Sequence, residues 1–163
     1  MTAGRVNLKI VADRLGLARR YRTDLETMKA MGAEVFASDR RNPAAAESFL
    51  RRAIEALFDA ARHLLAKGHG LGGLEYRDVA RLARERKLVV DEALASRLVQ
   101  IAGFRNRLTH YYDEVTPEEI FHVLESDLGD LEAFARELEN AAARLAGGTE
   151  DHEDLPRPPS SVE

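Results

Sequence analysis

The sequence predicts an all-α protein, an up-and-down bundle of four long helices plus one short helix. Three observations carry that expectation. Apolar residues recur at three- and four-residue spacing through most of the chain, the period of a helix face. No stretch alternates Val, Ile or Thr with polar residues as a half-buried strand does. Gly, Pro, Asn, Asp and Thr cluster where helices would begin and end.

The first helix is expected from Val6 to about Phe36, with Leu8, Val11, Leu15, Ala18, Leu25, Met28 and Val35 on one stripe; Gly16 and Gly32 weaken it without stopping it. The stop falls at Ser38-Asp39-Arg40-Arg41-Asn42-Pro43, where Asn42 can cap a second helix and Pro43 can take its first position. That helix carries Phe49, Leu50, Ile54, Leu57, Phe58, Ala61, Leu64 and Leu65, and its end is expected at Lys67-Gly68. Its other face holds Arg51, Arg52, Glu55, Asp59, Arg62 and His63. Glu55 and Asp59 could hold arginines from another helix across the bundle, or form a solvated face. The glycine-dense loop 68–73 lacks the GxxxxGK[ST] spacing of a phosphate cradle and reads as a connection.

Tyr76 to about Arg86 gives the short helix, and Leu88-Val89-Val90 a packed connector. Asp91 caps the next long helix, which runs through Leu94, Leu98, Ile101, Phe104, Leu108 and Tyr111. Thr116-Pro117-Glu118-Glu119 opens the last one with a Thr cap, Pro at the first position and the Glu of a capping box; its apolar stripe runs to Leu138, with Asp127 as a polar interruption, and the helix ends near Ala146. Residues 1–146 thus form the helical domain. Residues 147–163 form an acidic and Pro-rich tail with almost nothing to bury, expected to be disordered.

With 163 residues, the chain can bury roughly two-thirds of its unfolded surface in one core. It has no cysteine, which removes disulfides, thiolate metal sites and Cys nucleophiles and fits a reducing compartment. No apolar run of about 18 residues or signal-peptide core is present, so the expected setting is cytoplasmic, with no membrane contact. A net charge of −4 and a pI near 5.8 argue against a binder of nucleic acid by bulk charge; any phosphate site has to be local. Arg97, Arg105 and Arg107 could build a basic cleft. Only four of the 24 basic residues are lysines, and Arg suits bidentate phosphate contacts, although codon bias would produce the same composition.

The stretch from Phe104 to Tyr112 leaves polar residues over once the core is assigned. Ile101, Phe104, Leu108, Tyr111 and Val115 take the apolar stripe; Arg105, Asn106, Thr109, His110, Tyr112 and Asp113 form an arc facing away from it. Arg105 offers a fork of donors for a phosphate, and an imidazole such as His110 exchanges protons near neutral pH. The two suffice to cleave RNA through its own 2′-hydroxyl without a metal ion or cofactor. Arg and His also share helices by chance, in surface or capping roles. Five residues separate Arg105 from His110, roughly 140° around an ideal helix, so a second helix or subunit has to complete the site. Ala102 and Gly103 would admit such a neighbour, which makes a twofold dimer with two copies of His110 per cleft the expected assembly. His63, His69, His122 and His152 lack metal-ligand spacing and read as solvated or capping residues.

Arg105-Asn106, four residues between Arg105 and His110, then Tyr112 resembles the RX4HXY motif, with the common RN start, of HEPN-domain toxins that pair with minimal nucleotidyltransferase (MNT) antitoxins. The long first helix, FLRRAIEALFDAARHLL, the Tyr76-Arg77-Asp78 start of the short helix and IAGFRNRLTHYYDEVTPEEIF match that family in order and spacing, over about residues 6 to 140. The resemblance implies a HEPN-like bundle and a homodimeric, metal-independent ribonuclease of the HepT-like kind. Arg105 and His110 would lie at the cleft between subunits, with Asn106 supporting His110 or the substrate. It also implies a cognate MNT antitoxin that transfers AMP to Tyr112, placing charge and bulk where RNA phosphate must bind. A non-catalytic HEPN module that binds nucleotide or docks onto a nucleotidyltransferase, and a plain interaction bundle, are the competing expectations.

Overall fold

The structure, a computed structural model, describes residues 4–111 and 114–148. Among these, seven helices and no strand occur: α1 (Leu8–Lys29), α2 (Ala33–Ser38), α3 (Arg41–His69), α4 (Tyr76–Glu85), α5 (Glu92–His110), α6 (Pro117–Ser126) and α7 (Leu128–Gly147). The all-α expectation and the four long helices hold, and three short helices stand where one was expected.

The differences have local causes. Gly32 does stop the first helix: its φ of 81° lies in the left-handed region that glycine enters without a Cβ clash, and the six-residue α2 follows. The side chain of Asn7 caps α1 by accepting from the amides of Lys9 and Ile10. Asn42 does not cap α3; Asp39 accepts from the Arg41 amide, the helix starts at Arg41, and Pro43 lies two residues inside the first turn. Asp127 splits the last long helix, with α6 ending at Ser126 and α7 starting at Leu128. Gly70, at φ 70°, closes α3, and the amides of Gly70 and Leu71 return to the carbonyls of Ala66 and Leu65, the paired bonds of a Schellman ending. The Asp91 and Thr116 side-chain caps form as expected, but the Glu119 carboxylate pairs with Arg107 and does not close the capping box.

The long helices alternate in direction. Asn7 meets His63 and Tyr21 stacks on Phe49, so α1 runs against α3. Phe58 packs edge-on against Phe134 and Gly68 lies against Leu145, so α7 runs with α3. The Asp91 amide reaches Glu137 while Arg97 reaches Asp130, so α5 runs against both. One continuous apolar core lies between them, with Phe36, Leu25, Leu57, Phe58, Leu64, Leu98 and Phe134 almost fully buried. Ala46, Ala53, Ala60 and Ala61 of α3 are inaccessible; side chains this small let α3 run through the centre, and it packs against every other helix. Among the described residues no polar or charged residue is fully buried, so burial of apolar surface, about 25 cal/mol per Å2, carries the fold.

No described helix is long and apolar enough to cross a membrane. Most of the Pro-rich tail, residues 149–163, lies outside the described residues.

Candidate functional site

α5 is fixed at its start before it presents the motif. Asp91 caps it, the carboxylate of Glu137 on α7 accepts from the amides of Val90 and Asp91, and Arg97 makes two bonds of 2.8 Å to Asp130. Leu94, Leu98, Ala102 and Leu108 bury one face. At the other end Arg107 forms a two-pronged pair with Glu119, Nη2 to Oε2 at 3.0 Å, and joins the last turn of α5 to α6.

On that rigid rod Arg105 turns inward. Its Nε and Nη2 donate to one oxygen of Glu55 at 3.1 and 2.9 Å, and its Nη1 donates to the Asn106 carboxamide oxygen at 3.3 Å. Arg105 and Glu55 are 21% and 23% exposed, so the pair is partly shielded from water. Glu55 also accepts from Arg51, one turn earlier on α3. The guanidinium carbon of Arg105 lies 4.8 Å from the centre of the Tyr76 ring and that of Arg62 4.7 Å, within cation–π range. Phe58 supports the same ring, and the Tyr76 hydroxyl donates to Asp59 at 3.0 Å. Burial, then the charge and hydrogen bond of Asp59, push the Tyr76 phenol up to about 12 against the opposing pull of Arg62 and Arg105. It therefore stays a neutral donor at any working pH.

His110 is the opposite case. It is exposed at the last residue of α5, hydrogen-bonds to no described residue, and has the Tyr111 ring edge-on at 6.5 Å. Arg105 and His110 do not touch. Asn106 is aimed at Arg105, not at His110. Thr109 is half-buried and its hydroxyl returns to the Arg105 carbonyl. The polar arc expected from the sequence is thus divided: Arg105 faces α3 and α4, while Asn106 and His110 face outward. Tyr112 and Asp113 lie outside the described residues.

Two expectations need correction. Tyr111 is 57% exposed and not a core residue: the helix ends at His110, Tyr111 takes φ −132° and ψ 37°, and the helical period no longer decides where its ring points. Arg97 and Arg107 do not build a basic cleft with Arg105, because Asp130 and Glu119 neutralise them.

Nothing in the sequence assigns Tyr76 a part in the site. No local pattern marks a tyrosine as the plate for two guanidiniums contributed by α3 and α5. The Glu55 contact was one of two readings, and the structure realises it.

The exposed edge of α5 has a regular composition. Glu92, Ser96, Val99, Gly103, Asn106 and His110 are all exposed and recur at alternating steps of four and three, the spacing of a helix-pairing seam. A Cβ added at Gly103 would meet nothing within 4 Å, and Val99 is 51% exposed.

A hollow of about 470 Å3 lies among α3, α5, α6 and α7 over Ile54, Ile101, Phe104 and Leu131. Neither Arg105 nor His110 lines it. Among the described residues no group of three or more His, Asp or Glu side chains is placed to hold a metal ion.

Solved structures place the architecture among HEPN proteins. The chain superposes on the tri-AMPylated HEPN toxin of Shewanella oneidensis in complex with its MNT antitoxin, with TM-score 0.72 and 22% identity over 80% of this chain and 97% of that one. A toxin-antitoxin structure with AMP-PNP gives TM-score 0.71 and 22% identity over 79% and 97%. In sequence the chain is 25% identical over 130 residues to the tRNA nuclease HepT of Aphanizomenon flos-aquae (strain 2012/KM1/D3), covering 79% of this chain and 87% of that protein. Residues 16–138 match the family described as ribonuclease HepT-like, and the chain belongs to that family.

Proposed function

We propose that this protein is a metal-independent endoribonuclease and the toxin of a toxin-antitoxin pair, active as a homodimer and neutralised by an MNT nucleotidyltransferase that transfers AMP to Tyr112. The observation that carries the reading is the division within the motif: Arg105 is held by Glu55 and Tyr76, and His110 stands on an exposed seam with no hydrogen bond to a described residue. Family membership and the names of the relatives support it.

In the reaction the 2′-oxygen of RNA attacks the adjacent phosphorus while the bond from phosphorus to the 5′-oxygen breaks. An imidazole takes the proton from the 2′-hydroxyl, and a second imidazole returns one to the leaving 5′-oxygen. One chain supplies one His110; two chains meeting along α5 supply both. Glu55 and Asn106 use one donor each of Nε and Nη1 and one of Nη2 on Arg105. The remaining N–H groups of the five-donor guanidinium are left for phosphoryl oxygens. Asn106 then orients Arg105.

The test is cleavage of RNA by the purified protein in excess chelator. Arg105→Ala and His110→Ala are each expected to lose at least 100-fold in rate while the dimer stays folded, and the native enzyme should leave a 2′,3′-cyclic phosphate end. Full activity in either variant sinks the proposal. A module that only binds nucleotide or docks onto its partner would tolerate both substitutions. Mass spectrometry of the protein co-expressed with its partner should find AMP on Tyr112; an unmodified Tyr112 in neutralised protein would remove that part.

A further inference from the structure

We infer that the groove between α1 and α3, walled by Arg14, Arg51 and Arg52, is the track along which the backbone of single-stranded RNA approaches Arg105. The inference rests on the ribonuclease reading and adds to it a binding surface outside the motif helix.

The groove encloses about 300 Å3, with Arg14 and Tyr21 on α1 and Arg51, Arg52, Glu55 and Asp59 on α3. Its lining holds three guanidiniums and two carboxylates, and Arg62 and Arg105, which pair with Asp59 and Glu55, bring the count to five against two, an excess of three positive charges on a chain whose net charge is −4. Both carboxylates are already engaged, Glu55 by Arg51 and Arg105, Asp59 by Tyr76 and Arg62. Arg14 has neither an ion pair nor a hydrogen bond to a described residue, and Arg52 forms no ion pair, donating to the Tyr21 hydroxyl at 3.4 Å with only a weaker charge attraction from Glu55. Arg97, Arg107 and Arg19 differ: each is closed by a carboxylate on a neighbouring helix. A neighbouring hollow along α1 is lined by Arg14 and Arg20 together with Asp13, whose carboxylate Lys9 pairs.

Direction links the groove to the motif. α5 runs against α3, so the step of about 7.5 Å from Arg105 to His110 leads from the level of Glu55 toward that of Arg51 and Arg52. A strand lying in the groove would therefore pass from Arg14 and Arg52, across Arg51, to the phosphate held between Arg105 and His110. The hollow is too small for a duplex, and a basic groove tracking one backbone is how single strands are held without sequence preference. Electrostatic capture of phosphates also explains how an acidic protein binds RNA: the charge is local.

The experiment uses full-length protein carrying His110→Ala, so that RNA is bound without being cleaved, and a labelled single-stranded RNA in a salt titration. Adding Arg14→Gln and Arg52→Gln should weaken binding at least 10-fold at low salt and lower the slope of log K against log salt by about 1.4, two phosphate contacts at roughly 0.7 each. Removing the same charge elsewhere, with Arg40→Gln and Arg86→Gln on exposed sites, should change affinity less than twofold. Unchanged affinity and slope in the groove variant overturn the inference, as does an equal loss in the control variant. A groove variant that keeps its RNA affinity but escapes the antitoxin also overturns it and marks a protein-docking face. Groove-dependent binding by a native protein that cleaves nothing would uphold the track and remove the ribonuclease reading; no RNA binding at all removes both.

Discussion

Arg105 and His110 stand five residues apart on one helix, and the fold treats them in opposite ways. Arg105 is held by Glu55, flanked by Asn106 and laid against Tyr76, at 21% exposure. His110 is exposed at the helix end with no hydrogen bond to a described residue. A guanidinium keeps its charge and needs only to be aimed, so packing it in advance costs no function. An imidazole that moves a proton needs one ring nitrogen open to substrate, and neither ring nitrogen of His110 is bonded to a described residue. On the proposed ribonuclease reading, the bundle would complete half of the site and assembly along α5 would supply the other half.

Blocking that assembly should give the largest effect. Gly103 lies at the centre of the exposed seam with open space around its missing Cβ, so Gly103→Leu leaves the bundle intact and gains up to about 1 kcal/mol of helix propensity. Light scattering should then show a monomer, with RNA cleavage lower by roughly 10²–10⁴-fold, the contribution of one general acid or base. A fully active monomer would break the comparison, because Arg105 and His110 of one chain would then suffice.

What the sequence disclosed follows from how local each signal is. The side-chain caps at Asp91 and Thr116 depend on residues within three positions, and both form, whereas the Glu119 half of the capping box loses to Arg107 of another helix. The helical period placed Leu98, Leu108 and Phe134 in the core. It failed at Tyr111 because a periodic argument assumes that the helix continues, and it stops one residue earlier. The period failed again at Gly32, expected to weaken the helix without stopping it, because the positive φ of this glycine outweighs the apolar stripe on either side. The motif spacing is legible in one dimension. That Arg105 would close on Glu55, fifty positions away, while Arg97 and Arg107 would be claimed by α7 and α6, depends on helix directions that no single stretch encodes.

A second, smaller effect separates the two residues by stability. Arg105→Ala removes a part-buried pair and uncovers the Tyr76 ring, so unfolding should become easier by about 1 kcal/mol after allowing for its exposure, or roughly 2–4 °C in a chain of this size. His110→Ala should stay within about 0.5 kcal/mol of the native protein, as surface substitutions do. Glu55→Gln keeps the shape and loses the charge; melting temperature and cleavage rate should fall together, the rate by about 10-fold. Equal melting temperatures for the Arg105 and His110 variants would mean that the anchoring of Arg105 is not part of the fold.

The smallest effect sets His110 against a histidine that the fold does engage. The Asn7 amide donates to Nε2 of His63 at 3.0 Å, which requires that nitrogen to keep its lone pair and the ring to stay neutral. Burial, and then the nearby charge of Lys67, lower the His63 pKa from its ordinary 6.5. A depressed value means that the fold binds this proton less readily than the unfolded chain does. The stabilisation is therefore fully present above pH 6.5 and is lost as pH falls through the lower folded-state value. Asp39, held at about 2 by Arg41, titrates well below that window. Thermal melts between pH 7 and 5 should show a decline that His63→Gln reduces, since a carboxamide oxygen accepts the same bond without titrating. The pH profile of cleavage should keep its shape in that variant, because the proposed reading gives proton transfer to His110; a profile that moved with His63→Gln would assign the proton to the wrong end of the bundle.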